Sequence, residues 1–264
     1  MKSSSLYAFL AAAIILAPAL RADEKPAKEK SAAATPAATP FPLPVQPPDV
    51  PAVKYDPKTG KPNTGFLAAH EKYVAIAKEG KTQLLFLGDS ITAGWAGKGK
   101  DVWAKAFTQW QPANFGIGGD RTQHVLWRIE NGELDGIKPK VAVLMIGTNN
   151  VATDSAEGIA KGVTKIVETI RAKTPDTKIL LLAVFPRGEK ESPNPAREKL
   201  AEVNAVIAKL EDDQHVFYMD IGGKFLQPDG TLPKEIMPDS LHPNDAGYQI
   251  WADAITPKLT ELMK

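Results

Sequence analysis

The chain has no cysteine. That excludes disulfides and lipid attachment through an N-terminal cysteine, so the core must stabilise the fold by itself. Histidine is scarce, with four in 264 residues, and no His, Cys or carboxylate cluster stands at metal-ligand spacing. Neither sign of charge prevails: 32 Lys and Arg face 31 Asp and Glu. Losing Met1–Ala22 would remove Lys2 and Arg21 and no acid. A near-neutral mature chain has no electrostatic footprint for nucleic acid or an anionic membrane surface. No internal repeat is present at a solenoid period. Two motifs are missing as well: the dinucleotide spacing G-x-G-x-x-G and the nucleophile elbow G-x-S-x-G.

What is present begins with an export-like leader. Lys2, an apolar stretch from Leu6 to Leu16 and the small-residue end Leu20-Arg21-Ala22 make residues 1–22 a signal peptide. Its apolar core is short for a membrane span. Cleavage is expected after Ala22, with Ala17-Pro18-Ala19 as a second site and an uncleaved anchor as the alternative. A secreted or periplasmic enzyme, without stable membrane insertion after cleavage, is therefore expected. Residues 23–62 are rich in Pro, Ala and Lys and read as an extended linker. Residues 63–264 remain, about 200 positions, enough for one domain with a substantial core.

Within that domain apolar runs alternate with helical patterns. Strands are expected at Gln83–Leu87, Ala113–Phe115, Val141–Ile146, Lys178–Val184 and His215–Met219. Helices are expected around His70–Lys78, Asp101–Trp110 (capped by Asp101), Gln123–Ile129, 156–173, 196–210 and 244–263. This alternation implies an α/β fold, a three-layer α/β/α sandwich around a five-stranded parallel sheet. Trp103, Phe107 and Trp110 recur at helical offsets and read as core. Trp95, in the loop just past Ser90, is a candidate wall of a substrate pocket.

Ligands of open α/β sheets bind beyond the carboxyl ends of the strands. Ser90 of Gly88-Asp89-Ser90, Gly119 of Gly116-Ile117-Gly118-Gly119-Asp120 and Asn149 of Gly147-Thr148-Asn149-Asn150 all follow strands, so they share one edge. Ser90 is a candidate nucleophile. The competing reading is that Asp89 and Ser90 form a turn and cap the next helix. A serine needs a base. His70, His124 and His215 read as structural, whereas His242 stands in a proline-stiffened loop three residues after Asp239. A carboxylate there can accept the imidazole Nδ1–H and leave Nε2 as the base.

These blocks resemble the GDSL, or SGNH, hydrolase superfamily. Gly88-Asp89-Ser90, Gly119, Asn149 and Asp239-x-x-His242 match four of its markers in order. Within it the chain is similar to the catalytic subunits of intracellular platelet-activating-factor acetylhydrolase. That likeness runs through Asn114–Asp120, His124-Val-Leu-Trp-Arg128, Asn131-Gly-Glu-Leu134, Ile137–Val141 and Pro193–Lys199. The third block departs from the usual pattern, with Asn150 where an Asp is more common. The resemblance implies a flavodoxin-like fold and serine ester hydrolysis without a cofactor. Ser90, Asp239 and His242 would be catalytic; Ser90, Gly119 and Asn149 would form the oxyanion hole. The expected function is hydrolysis of short-chain esters, acetyl above all, on a carbohydrate or other small-molecule ester. A phospholipid or lysophospholipid acylhydrolase is the alternative, and a non-catalytic carbohydrate-binding or surface module is the alternative of another class.

Overall fold

The computed structural model describes residues 43–264; the expected signal peptide and residues 23–42 lie outside the described residues. Five parallel strands form one sheet: β1 (Leu84–Gly88), β2 (Pro112–Gly116), β3 (Val141–Met145), β4 (Lys178–Leu182) and β5 (Val216–Met219). Their spatial order is β2-β1-β3-β4-β5, the flavodoxin-like arrangement, whose switch point lies between β1 and β3. Every residue of β1 and β3 is buried, as expected for strands covered on both faces.

Side-chain alternation divides the core in two. Leu85, Leu87, Ala142, Leu144 and Leu181 face α4 (Thr122–Arg128), α5 (Ala156–Lys173) and α6 (Pro195–Ile207). Leu84, Phe86, Val143, Met145 and Leu180 face α3 (Lys100–Ala106) and α7 (Asp245–Leu262). Two further helices complete the set: α1 (Thr64–Lys78), which opens the domain, and α2 (Ser90–Ala93), directly after β1. The three-layer α/β/α sandwich expected from the sequence is the fold observed.

Several boundaries differ from the sequence expectation. Helix α1 starts at Thr64, six residues before His70, because Asn63 accepts the Phe66 amide at 2.9 Å and caps it. Asp101 lies in the first turn of α3 and Gly99 occupies the cap. The helix stops at Ala106, and a short 3-10 turn carries Trp110.

The larger difference is the linker. Residues 43–62, expected to be a spacer, lie along the domain as a strap. The Thr122 hydroxyl donates to Pro48 O at 2.8 Å, Gln123 Nε2 to Gln46 O at 3.1 Å, and the Ala52 amide to Gln123 O at 3.1 Å. Tyr55 and Pro62 bridge within the strap. These contacts are made largely by backbone atoms, which leave no apolar periodicity to read. The ordered domain therefore extends at least to residue 43.

Candidate active site

Ser90, Gly119 and Asn149 are placed by the ends of β1, β2 and β3, and Asp239 and His242 by the loop that enters α7. Gly88 closes β1, and a Cβ there would stand 2.5 Å from Met145 O, so only glycine lets β1 and β3 remain paired while the chain turns into α2. Asp89 caps α2, its Oδ1 accepting the Ile91 amide at 2.9 Å. Ser90 is the first residue of that helix, where backbone N–H groups have no intrahelical acceptor. The two readings of this motif thus fall on different residues: Asp89 is the cap, and Ser90 is left for chemistry.

His242 comes to Ser90 from the other end of the domain. Ser90 Oγ lies 2.9 Å from His242 Nε2, and His242 Nδ1 lies 2.6 Å from Asp239 Oδ2. The other oxygen, Asp239 Oδ1, accepts the amides of Leu241 at 3.1 Å and His242 at 2.7 Å. One carboxylate thereby folds the loop and orients the ring. Burial works against ionising Asp239, yet the hydrogen bonds and charge of His242 outweigh it and hold the carboxyl below its ordinary range.

Across the switch point, Asn149 Nδ2 donates to Asp120 O at 2.9 Å, which fixes the amide and leaves its second hydrogen unspent. Arg187, after β4, donates to Thr148 O at 2.9 Å and Thr148 Oγ1 at 3.2 Å. The Gly188 amide reaches Ser240 O at 2.8 Å, tying this loop to that of His242. The loop is itself clamped by Arg197 of α6, which donates to the carbonyls of Arg187, Gly188, Glu189 and Gly230.

Beneath the site lies a charged network that the sequence reading did not assign. Arg128, fully buried, donates to Asp120 Oδ2 at 2.9 Å and to Glu133, and reaches Gly88 O at 3.3 Å. His70 meets the other oxygen of Glu133 at 3.0 Å. Arg128 and Glu133 fall inside two of the stretches that carry the family resemblance, but no spacing rule marks such a pair as a buried brace. Asn150 is equally structural: its Oδ1 accepts the Thr122 amide at 3.0 Å, and its Nδ2 donates to Gln123 and Asp154, each at 3.0 Å.

Trp95 is corrected. It is 1% exposed and packs against Phe86, Phe107, Tyr248 and Trp251, so it belongs to the aromatic core and not to a pocket wall. The loop after Ser90 turns inward as a short 3-10 segment, Gly94–Ala96, carrying the indole beneath the sheet edge. The other histidines sit elsewhere. His124 accepts the Arg121 amide on Nδ1 at 3.1 Å, and burial with the charges of Lys54, Arg121 and Arg128 pushes it down to about 3, so it is neutral. His215 precedes β5, at the opposite edge of the sheet from Ser90.

Residues 86–250 match the model of the GDSL-like lipase/acylhydrolase family. The chain belongs to this family. The α2 subunit of rat platelet-activating factor acetylhydrolase IB is 41% identical over 184 residues, covering 69% of this chain and 78% of that protein. Among solved structures, a GDSL-like lipase from Bacteroides thetaiotaomicron superposes with a TM-score of 0.61 at 20% identity, over 74% of this chain and 97% of that one. An acetylxylan esterase from Geobacillus stearothermophilus, solved as a catalytic mutant, gives 0.53 at 20% identity, over 68% and 93%. As a GDSL hydrolase the protein is an ester hydrolase. Among the described residues no group of three or more His, Cys, Asp or Glu is arranged to hold a metal, and no helix is long and apolar enough to cross a membrane.

Proposed function

We propose that this GDSL hydrolase is an exported serine esterase that removes short acyl groups, acetyl above all, from a carbohydrate. The observation that carries the mechanism is the continuous contact from Ser90 Oγ through His242 to Asp239, 2.9 Å and then 2.6 Å. His242 Nε2 takes the hydroxyl proton as Ser90 Oγ attacks the acyl carbon. The imidazolium is stabilised by Asp239, which already holds Nδ1–H. Negative charge develops on the carbonyl oxygen, where the N–H groups of Ser90 and Gly119 and the side-chain amide of Asn149 receive it. Collapse breaks the bond to the alkoxide, which takes the proton from His242. Water, deprotonated by His242, then attacks the acyl-enzyme, releasing the acid and restoring Ser90.

The acetyl preference is supported by the acetylhydrolase relatives. Export is supported by the leader pattern in residues 1–22, and a sugar substrate by export, since polysaccharide esters are met outside the cell. The fold itself carries an acetylxylan esterase. The 41% relative favours a second reading, an acylhydrolase acting on a phospholipid. Hydrolysis of p-nitrophenyl acetate by wild type and Ser90→Ala tests the mechanism that both readings share. The variant is expected to lose about a million-fold in kcat, as when one member of a triad acting as a unit is removed. Equal rates would instead mark the domain as a binding module that only keeps the fold.

A further inference from the structure

The oxyanion loop has a weakness that its sequence makes plain. The Asp120 amide donates to Ile117 O at 3.2 Å, closing a turn over Ile117-Gly118-Gly119-Asp120. Gly119, in the third position, has a φ of +72°, as a type II turn requires. The central peptide of such a turn joins Gly118 C=O to Gly119 N–H, and in the type I alternative it points the opposite way. A Cβ at Gly118 would meet nothing within 4 Å, so no packing on that residue opposes a flip. Two glycines admit both turn types, and a flip would turn the Gly119 N–H away from any oxyanion.

One side chain holds this peptide. Lys54, from the strap, donates through Nζ to Gly118 O, the carbonyl of the very peptide whose N–H belongs to Gly119. Nζ also lies 3.7 Å from Asp120 Oδ1, a buried oxygen with no hydrogen-bond partner. It stands 2.9 Å from the place a Gly119 Cβ would take. The strap holds Lys54 through its own backbone, with Lys54 O accepting the Asn63 amide at 2.8 Å.

We infer that Lys54 is a positioning residue for the oxyanion hole, locking the Gly118–Gly119 peptide in its type II orientation and strengthening the Gly119 N–H as a donor. A cation on the carbonyl side of a peptide polarises the N–H on the other side, because hydrogen bonds in a chain reinforce one another. The inference rests on the proposed oxyanion role of Gly119. It assigns the strap a catalytic purpose that the motif blocks of the domain do not contain. Burial lowers the affinity of Lys54 for its proton; Asp120 opposes this, and Arg128 and Arg121 add to it. Neutral His124 is the remaining titratable neighbour, 3.9 Å from the shared Asp120 Oδ1.

Steady-state kinetics on p-nitrophenyl acetate with Lys54→Met and Lys54→Arg, beside Ser90→Ala, test the role. Lys54→Met is expected to lower kcat about tenfold with KM nearly unchanged, less than the hundred- to thousand-fold loss of a whole oxyanion donor. Lys54→Arg keeps a cation there and restores most of the rate. Wild-type kcat should also fall with rising pH before the ordinary lysine value of 10.5 is reached, because burial lowers the affinity of Lys54 for its proton, while the Lys54→Arg rate, its guanidinium still charged, holds. Wild-type kcat in Lys54→Met, or equal losses in both variants, would overturn the role. If Lys54→Met does not fold, superimposable pH profiles for wild type and Lys54→Arg would do the same. An active Ser90→Ala would instead remove the esterase mechanism on which the inference stands.

Discussion

Asp89 and Ser90 are chain neighbours with opposite environments. Asp89 is 0% exposed, and its Oδ2 has no hydrogen-bond partner. Burial pushes its carboxyl up to about 6, against the pull of the Ile91 amide and of His242 and Arg187. An unfolded chain gives up this proton near the ordinary value of 3.8. Between those two values the folded state holds more proton, so stability falls as pH rises through that window. It is highest below pH 4 as far as this group is concerned, and the loss is complete above about pH 6. Asp89→Asn keeps the oxygen that accepts the Ile91 amide and removes the charge. It is therefore expected to stabilise the protein by about 2–3 kcal/mol at pH 7.5, two pKa units in energy, and to change little at pH 4. Urea unfolding at both values measures this, and equal effects at the two would show that the buried charge is not the cause.

At the scale of elements, what could be read and what could not divide along physical lines. β1, β3 and β4 were legible because a strand buried on both faces must be a run of apolar residues. Ser90, Gly119 and Asn149 could be placed on one edge because parallel strands all end there. Asp239 and His242 were legible from a three-residue spacing inside a stiff loop. The strap was not, since it docks on Thr122 and Gln123 through backbone carbonyls and amides. Trp95 misled because a residue five places past a strand-end helix start can turn either inward or outward. Arg197 was equally silent, although its position in α6 decides the loop after β4. It holds three carbonyls there and Gly230 O in the loop after β5, and Gly188 carries the link onward to Ser240, beside His242. Charged hydrogen bonds contribute about 1.5–3 kcal/mol each when buried and less when part-exposed. Arg197→Met should therefore cost about 2–3 kcal/mol of stability, and kcat should fall as the His242 loop loses its brace. Thermal unfolding with kcat on p-nitrophenyl acetate checks both, and an unchanged kcat would confine Arg197 to holding its own loop.

For the whole molecule, the choice between a sugar ester and a lipid ester turns on surfaces. An enzyme working at a lipid interface gains from an apolar patch around its site or from basic charge facing anionic headgroups. The chain is balanced, at a formal net charge of +1. The exposed large apolar side chains among the described residues are Leu43, Val45 and Val50 on the strap and Val206 on α6; none lies in the loops that bear Ser90, Asn149 or His242. That surface favours the proposed soluble, polar leaving group over a bilayer, even though the relatives include platelet-activating factor acetylhydrolases. Acetylated xylo-oligosaccharides are accordingly expected to give a kcat/KM at least about tenfold above that for an acetylated phospholipid, some 1.4 kcal/mol in transition-state stabilisation. Both substrates must be dead with Ser90→Ala for the comparison to report on this site. The opposite ranking would make the protein a phospholipid acylhydrolase with the same triad. In that case its selectivity would have to come from the loops around Ser90 and His242 recognising a single dispersed lipid, because among the described residues those loops expose no large apolar side chain.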